Sequence, residues 1–283
     1  MKKQLLALFG LTLSLSVQSQ TTNESVKLKQ IKSVETNTLN GDKITKTYSF
    51  QDGKLTSIKT SDLIQSFFYN KKGILDKTVK EREGSTWKEV ASYFYDESDR
   101  LVKFTSKYEE GDENVTKTVT FKHEGSRIIA ITKNSNSSLK FTKYIDYVVE
   151  NGKIIRESER NLSQKIINKK EMHYYKDNLS RYKGLVGDKS IDNYTYDDKN
   201  SAMLLLVKNV FGENYQTIVP LIAPHENEFP IESISYHNFL NFSSTATHKT
   251  KYGNTYTYNN LNFPKTHTQN KGKLKTVVSY EYE

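Results

Sequence analysis

The feature that most constrains this chain is a phrase repeated along it. An aromatic residue, any residue and a second aromatic precede a polar turn, which leads into a basic residue and an aliphatic one. It reads Tyr48-Ser49-Phe50-Gln51-Asp52-Gly53-Lys54-Leu55, and again from Phe67-Phe68-Tyr69 to Gly73-Ile74. Further copies begin at Tyr93, Val119 and Tyr147, with weaker ones at His173, Tyr194 and Tyr256. Aromatics on alternate residues share one face of a strand, where they meet neighbouring strands. Asp52-Gly53 and Asn151-Gly152 supply the positive φ that tight turns require. Each copy is therefore a hairpin, and the interval to the next leaves room for two strands and two turns. In the outgoing strands Leu55 and Ile58, Leu101 and Phe104, and Ile128 and Ile131 are offset by an odd number of residues. A regular strand would put them on opposite faces, so a bulge after the turn is expected.

Helical signals are scarce. Ser201 to Gly212 is the main candidate, and Ser61 to Ser66 a weaker one. All 4 prolines (Pro220, Pro224, Pro230 and Pro264) fall in the last quarter of the chain. Residues 199–230 break the repeat with Leu204, Leu205, Leu206, Ile218, Val219, Leu221 and Ile222, which we expect to form an apolar flap laid over the sheet. Strands should then resume at Ile231 to Tyr236, Ala246 to Tyr258 and Leu274 to Tyr282. The expected fold class is all-β: a long antiparallel meander of hairpin repeats, roughly 14 to 18 strands in a curved or rolled single sheet. It carries one irregular or short-helical apolar insertion.

Met1-Lys2-Lys3 followed by an apolar run from Leu5 to Leu15 and by Val17-Gln18-Ser19 has the form of a signal peptide, residues 1–19. Residues 20–283 then form a single β-repeat domain. No later stretch is long and apolar enough to span a bilayer as a helix. The expectation is an exported, soluble protein, periplasmic or extracellular. With 0 Cys it is not a lipoprotein, a disulfide scaffold or a thiolate metal protein. The net charge is +9, but the basic residues are mostly Lys, spread evenly and interleaved with Asp and Glu. That describes a solvated surface rather than a nucleic-acid site.

No catalytic motif is present, so no catalytic, metal or cofactor-binding residues are expected, and the ligand-binding residues are unknown. His123, His173, His225, His237, His248 and His267 are too dispersed to read as a zinc set. Asp96-Glu97-Ser98-Asp99 and Asp197-Asp198 read as turn chemistry rather than calcium loops. Glu89, Asp146 and Glu157 lie in or beside strands, and a carboxylate pair on separate strands leaves no trace in sequence. The tyrosines read as cross-strand ladders before sugar-binding platforms, and Trp87 as the cap of a sheet edge.

The phrase resembles the YD repeat, Tyr-x-Tyr-Asp-x-x-Gly-Arg-Leu. Tyr93 to Leu101 matches it with Asp99 at the glycine position, and Tyr48 to Leu55 matches it with a shorter turn. The order of Tyr194 to Asn200, the apolar insertion and Tyr256 to Pro264 is similar to secreted Gram-negative envelope proteins built from β-meanders. The resemblance implies a fold and carries no catalytic residues. The expected function is a non-enzymatic binding or scaffold protein of the cell envelope, contacting an envelope protein or a glycan. The alternatives are a carrier holding a lipid or other apolar molecule in the curved sheet and, third, a carbohydrate-active protein using strand-borne carboxylates.

Overall fold

A computed structural model describes residues 26–110, 113–135, 142–225, 228–246 and 251–283. The leader expected over residues 1–19, and His248, lie outside these. Nine strands come first: β1 (Leu28–Asn37), β2 (Lys43–Gln51), β3 (Lys54–Lys59), β4 (Leu63–Tyr69), β5 (Leu75–Arg82), β6 (Lys88–Tyr95), β7 (Leu101–Glu110), β8 (Glu113–Glu124) and β9 (Arg127–Asn134). β10 (Lys143–Glu150), β11 (Lys153–Arg160), β12 (Ile166–Tyr175), β13 (Asn178–Val186) and β14 (Ile191–Tyr196) precede the helices α1 (Ala202–Phe211) and α2 (Tyr215–Ile222). β15 (Phe239–Ser244), β16 (Lys251–Tyr258), β17 (Pro264–Lys271) and β18 (Leu274–Tyr282) follow.

These form one 18-stranded antiparallel sheet in which every strand pairs with the next in sequence. β1 pairs with β2 and also with β18, from Leu28↔Tyr282 to Asn37↔Leu274. The sheet is a closed up-and-down barrel, not the curved or rolled open sheet expected from sequence. Closure is possible because one hairpin copy is split between the two ends of the chain. Tyr280-Glu281-Tyr282 supplies the incoming aromatics and Lys27-Leu28 the basic and aliphatic residues. The Glu283 N–H donates to the Lys27 carbonyl at 2.9 Å, and the register slips just after Leu28. The complete hairpins show the same slip: Tyr95 faces Leu101 while Phe94 faces Lys103. The expected bulge thus holds for Leu55/Ile58 and Leu101/Phe104, all at most 3% exposed. It fails at Ile128/Ile131, where β8 and β9 stay in register and Ile131 turns outward.

Other local expectations need correction. Ser61 to Ser66 makes a bend that runs into β4, and Ile231–Ile234 is a 3-10 turn rather than a strand. Of the strand expected from Ala246 to Tyr258, Lys251–Tyr258 is β16 and residues 247–250 lie outside the described residues, while Phe239–Ser244 is a strand that sequence did not mark. Leu274–Tyr282 is β18 as expected.

The insertion lies inside the barrel rather than over a sheet face. α1 is bracketed by Ser201, whose hydroxyl accepts from the Leu204 N–H at 3.2 Å, and by Gly212 at φ 66°. A barrel of this many strands is too wide for its inward side chains to meet. The helices occupy the gap: Leu206, Val207, Val210, Phe211, Ile218, Val219, Leu221 and Ile222 are all at most 1% exposed. They join Leu28, Leu55, Leu75, Leu101, Phe104, Tyr93, Tyr147 and Ile154 from the wall in a single core. Edge-to-face rings tie plug to wall, with Phe211 at 6.4 Å from Tyr93 and Phe229 at 6.3 Å from Phe67.

Candidate functional site

The two ends of the barrel differ, and the difference follows from the repeat. The turns within the phrases lie at one end, and the plug binds them there. Asn209 donates to the Gly53 carbonyl at 3.2 Å, Asn214 to those of Ser98 and Asp99 at 3.0 Å, and Thr217 to that of Gly152 at 2.8 Å. Toward this end successive hairpins diverge: β5 and β6 pair no further than Lys77↔Ser92, and β11 and β12 no further than Arg156↔Glu171. In four of the copies a tyrosine bridges the gap. The hydroxyls of Tyr69, Tyr95, Tyr174 and Tyr282 donate to the carbonyls of Leu55, Leu75, Ile154 and Pro264 at 2.7, 2.8, 3.0 and 2.8 Å. His123 makes the equivalent contact to Leu101 at 2.8 Å. Lys54 and Lys153 reach forward to the next turn, to the Gly73 carbonyl and the Asp177 carboxylate, and lie over the rings of Tyr69 and Tyr174. The tyrosines therefore hold repeat to repeat from inside, as the ladder expectation has it, and do not form an outward sugar platform.

The far end of the lumen is polar. Inward-facing Glu89 accepts from Ser106 at 2.7 Å and pairs with Lys80 at 3.7 Å, and Lys143 pairs with Glu159 at 2.9 Å. Lys46 binds Glu228 on the strap that follows α2, and Tyr182 donates to Glu157 at 2.6 Å. His225, at the strap's start, stacks on Phe104 at 5.6 Å. Burial, with Lys117 and Lys143 nearby, pulls its imidazole down to about 3, so it is neutral near pH 7. Two cavities flank the strap and share Pro230 as a wall. One, of about 290 Å³, is lined by Glu157, Met172, Tyr182, Pro224 and Phe229. The other, of about 200 Å³, lies against β15–β18 and is lined by Glu232, Ser233, Phe239, Tyr256 and His267 among others. There burial pushes the Glu232 carboxyl above the usual carboxylate range and pulls His267 down to about 4. A wider cleft of about 560 Å³ opens where β11 and β12 diverge, beside Arg156, Glu171 and His173.

Sequence named several of these residues without placing them. Glu89 and Glu157 do face the lumen, whereas Asp146 faces outward between Arg127 and Arg160. Asp96 serves its own turn, accepting from the Ser98 and Arg100 N–H groups, and Asp197 accepts from Asn238 and Tyr258. The described histidines are dispersed: His123 at the turn end, His173 outside, His237 against the Lys199 carbonyl and His267 against the Tyr280 hydroxyl. A closed barrel has no edge for Trp87 to cap, and its ring packs on Tyr108 at 6.2 Å beneath Arg82. Glu232 was missed altogether, because nothing in sequence marks the residue that a strap turns into a cavity.

Fold and site together define a class: a closed β-barrel whose interior is filled by a helical insertion bound to the turns of one end, with paired polar side chains facing inward toward the other. No family model matches the chain, and no curated protein does; the likeness to YD repeats thus rests on the quoted phrases alone. Among solved structures it is similar to a porin-like protein from Bacteroides uniformis ATCC 8492, at 12% identity over 90% of this chain and 98% of that one, with a TM-score of 0.44. A porin-like protein from Bacteroides vulgatus ATCC 8482 is similar at 9% identity over 91% and 99%, with a TM-score of 0.42. A chain of a TcdB2-TccC3-Cdc42 complex matches 60% of this chain and 11% of its own, at 13% identity and a TM-score of 0.34. Likenesses this distant carry no argument about what the protein does.

Proposed function

We propose that the protein is an exported, non-enzymatic barrel of the cell envelope that stands in water and binds a polar ligand among the inward polar groups of its far end. The observation that supports this is the direction of its hydrophobicity. A barrel that spans a membrane needs an apolar outer band ~25 Å tall with aromatic girdles. Here the positions alternating with the core are Lys43, Thr45, Thr47 and Ser49 on β2, and Thr116, Thr118, Thr120 and Lys122 on β8. On β16 and β17 they are Thr255, Thr257, Thr266 and Thr268. Outward apolar residues such as Ile64, Phe68 and Phe94 are scattered, and Lys77 and Lys103 lie over the two phenylalanine rings at 4.7 and 3.8 Å. The apolar side faces inward, and the helices of the insertion pack into it. The inward Lys, Glu and Tyr side chains of the far end suit a ligand with hydroxyl or charged groups.

The test is detergent-free osmotic release from the native host, followed by native mass spectrometry. The expected result is recovery in the aqueous fraction with an added mass that is lost on denaturation. Recovery only in detergent would overturn the water-facing reading, and a bare apoprotein mass would overturn the ligand-binding one.

A further inference from the structure

The cavity between the strap and β15–β18 contains a group that the fold leaves unanswered. Glu232, on the turn Ile231–Ile234, lines this cavity. Among the described residues no cation and no side-chain donor pairs with its carboxylate, and its only partner is its own backbone amide. Glu232 is half-buried, and a carboxylate that loses part of its hydration is usually given a cation by the fold. Beside it the Ser233 hydroxyl, 3% exposed, also has no hydrogen-bond partner.

The surroundings indicate what is missing. Phe239 and Tyr256 form aromatic walls, and Phe239 continues into Tyr194 and Tyr252 at 5.9 and 6.0 Å. Burial first, and the Glu232 charge second, push up the hydroxyls of Tyr194 and Tyr252, so this acid stands among their rings. Among the described residues no Lys or Arg lines the cavity. The His267 ring is occupied by the Tyr280 hydroxyl at 2.8 Å and is neutral near pH 7, and the His237 Nδ1 is taken by the Lys199 carbonyl at 2.9 Å. An acid that a bound cation would ionise, aromatic faces and a spare hydroxyl are the groups that recognise an organic ammonium.

We propose that this cavity binds a small organic cation, an amine or quaternary ammonium. Its charge lies against Glu232, its alkyl groups lie on Phe239 and Tyr256, and the Ser233 hydroxyl meets a polar substituent. The volume of about 200 Å³ equals that of roughly seven waters in the liquid, which admits a choline-sized molecule and not a lipid or an oligosaccharide. The inference rests on the reading of the barrel as a ligand-binding protein and names the chemistry of one of its cavities.

Isothermal titration and thermal unfolding of the mature chain test it, using choline, tetramethylammonium and the neutral choline isostere 3,3-dimethylbutan-1-ol. The expected result is that both cations bind and raise the unfolding temperature, while the isostere binds at least about tenfold more weakly. Glu232→Gln should lose a similar factor for the cations while the free protein is at least as stable, since an unpaired acid is removed. The isostere comparison needs no variant, so it stands even if Glu232→Gln fails to fold. Equal binding of the isostere, undiminished binding by Glu232→Gln, or no response to either cation at about 10 mM would each overturn the proposal. A different adduct in the native mass spectrum with no choline binding would overturn this proposal alone and leave the ligand-binding reading standing.

Discussion

At the residue scale, the tyrosines show how one side chain serves two neighbours. Its ring belongs to the core of its own hairpin, and its hydroxyl satisfies a carbonyl of the previous hairpin, exposed where the strands part. Burial pushes the Tyr95 hydroxyl well above its ordinary range, with the charges of Asp76 and Asp99 adding to this, so it remains a donor at any physiological pH. Tyr95→Phe keeps the ring and strands the Leu75 carbonyl, a loss expected to cost about 1 kcal/mol. Tyr174→Phe should cost a similar amount at Ile154, and because the two staples lie in different repeats the double variant should be additive. Urea denaturation measures all three. The alternation of aromatics was legible as a cross-strand ladder, but the hydroxyl's acceptor was not. It depends on adjacent hairpins diverging, which no single hairpin encodes.

At the element scale, the insertion between β14 and β15 was legible as apolar and interrupted, and its first helix as bracketed by Ser201 and Gly212. Its location was not. A helix that is apolar on all sides announces burial without saying against what. The barrel supplies the answer, since a lumen of this width needs a filling and, among the described residues, this is the longest connection between strands. Phe211 lies at the junction, 4.9 Å from Phe229 on the strap and 6.4 Å from Tyr93 on β6. Phe211→Ala is expected to cost about 3–5 kcal/mol, because the wall is hydrogen-bonded in a closed ring and cannot collapse onto the void. Chemical denaturation checks this, and a cost below about 1 kcal/mol would mean that the plug is not packed as described.

At the scale of the whole molecule, the split hairpin matters most. Tyr282 and Leu28 stand to each other as Tyr95 stands to Leu101, with the same slip in register and the same inward pair. A circular permutant should therefore fold. Its Glu283 would join Lys27 through an Asn-Gly turn, and new ends would open at the exposed turn around Gly84. Close termini and a surface cut favour such rearrangement. The expected outcome is a cooperative unfolding transition and the far-UV spectrum of the natural order, and an unfolded permutant would show that the split copy is not equivalent to the rest. Both halves of this copy were present in the sequence, as Lys27-Leu28 and Tyr280-Glu281-Tyr282. Neither half is a phrase by itself, so closure escaped notice.

What the sequence by itself determined is local: alternation sets which side of each strand is apolar, Asp-Gly and Asn-Gly set the turns, and the odd offsets at Leu55/Ile58 and Leu101/Phe104 mark bulges. These depend on residues a few positions apart, where propensity and pairing geometry act directly. Tertiary structure alone decided that the sheet closes, that the apolar side is the inner one and is filled by helices, and that Glu232 comes to rest among aromatic rings. Each of these is a meeting of groups far apart in sequence, fixed by the number of strands the chain can join into a ring and by the width that number leaves to be filled.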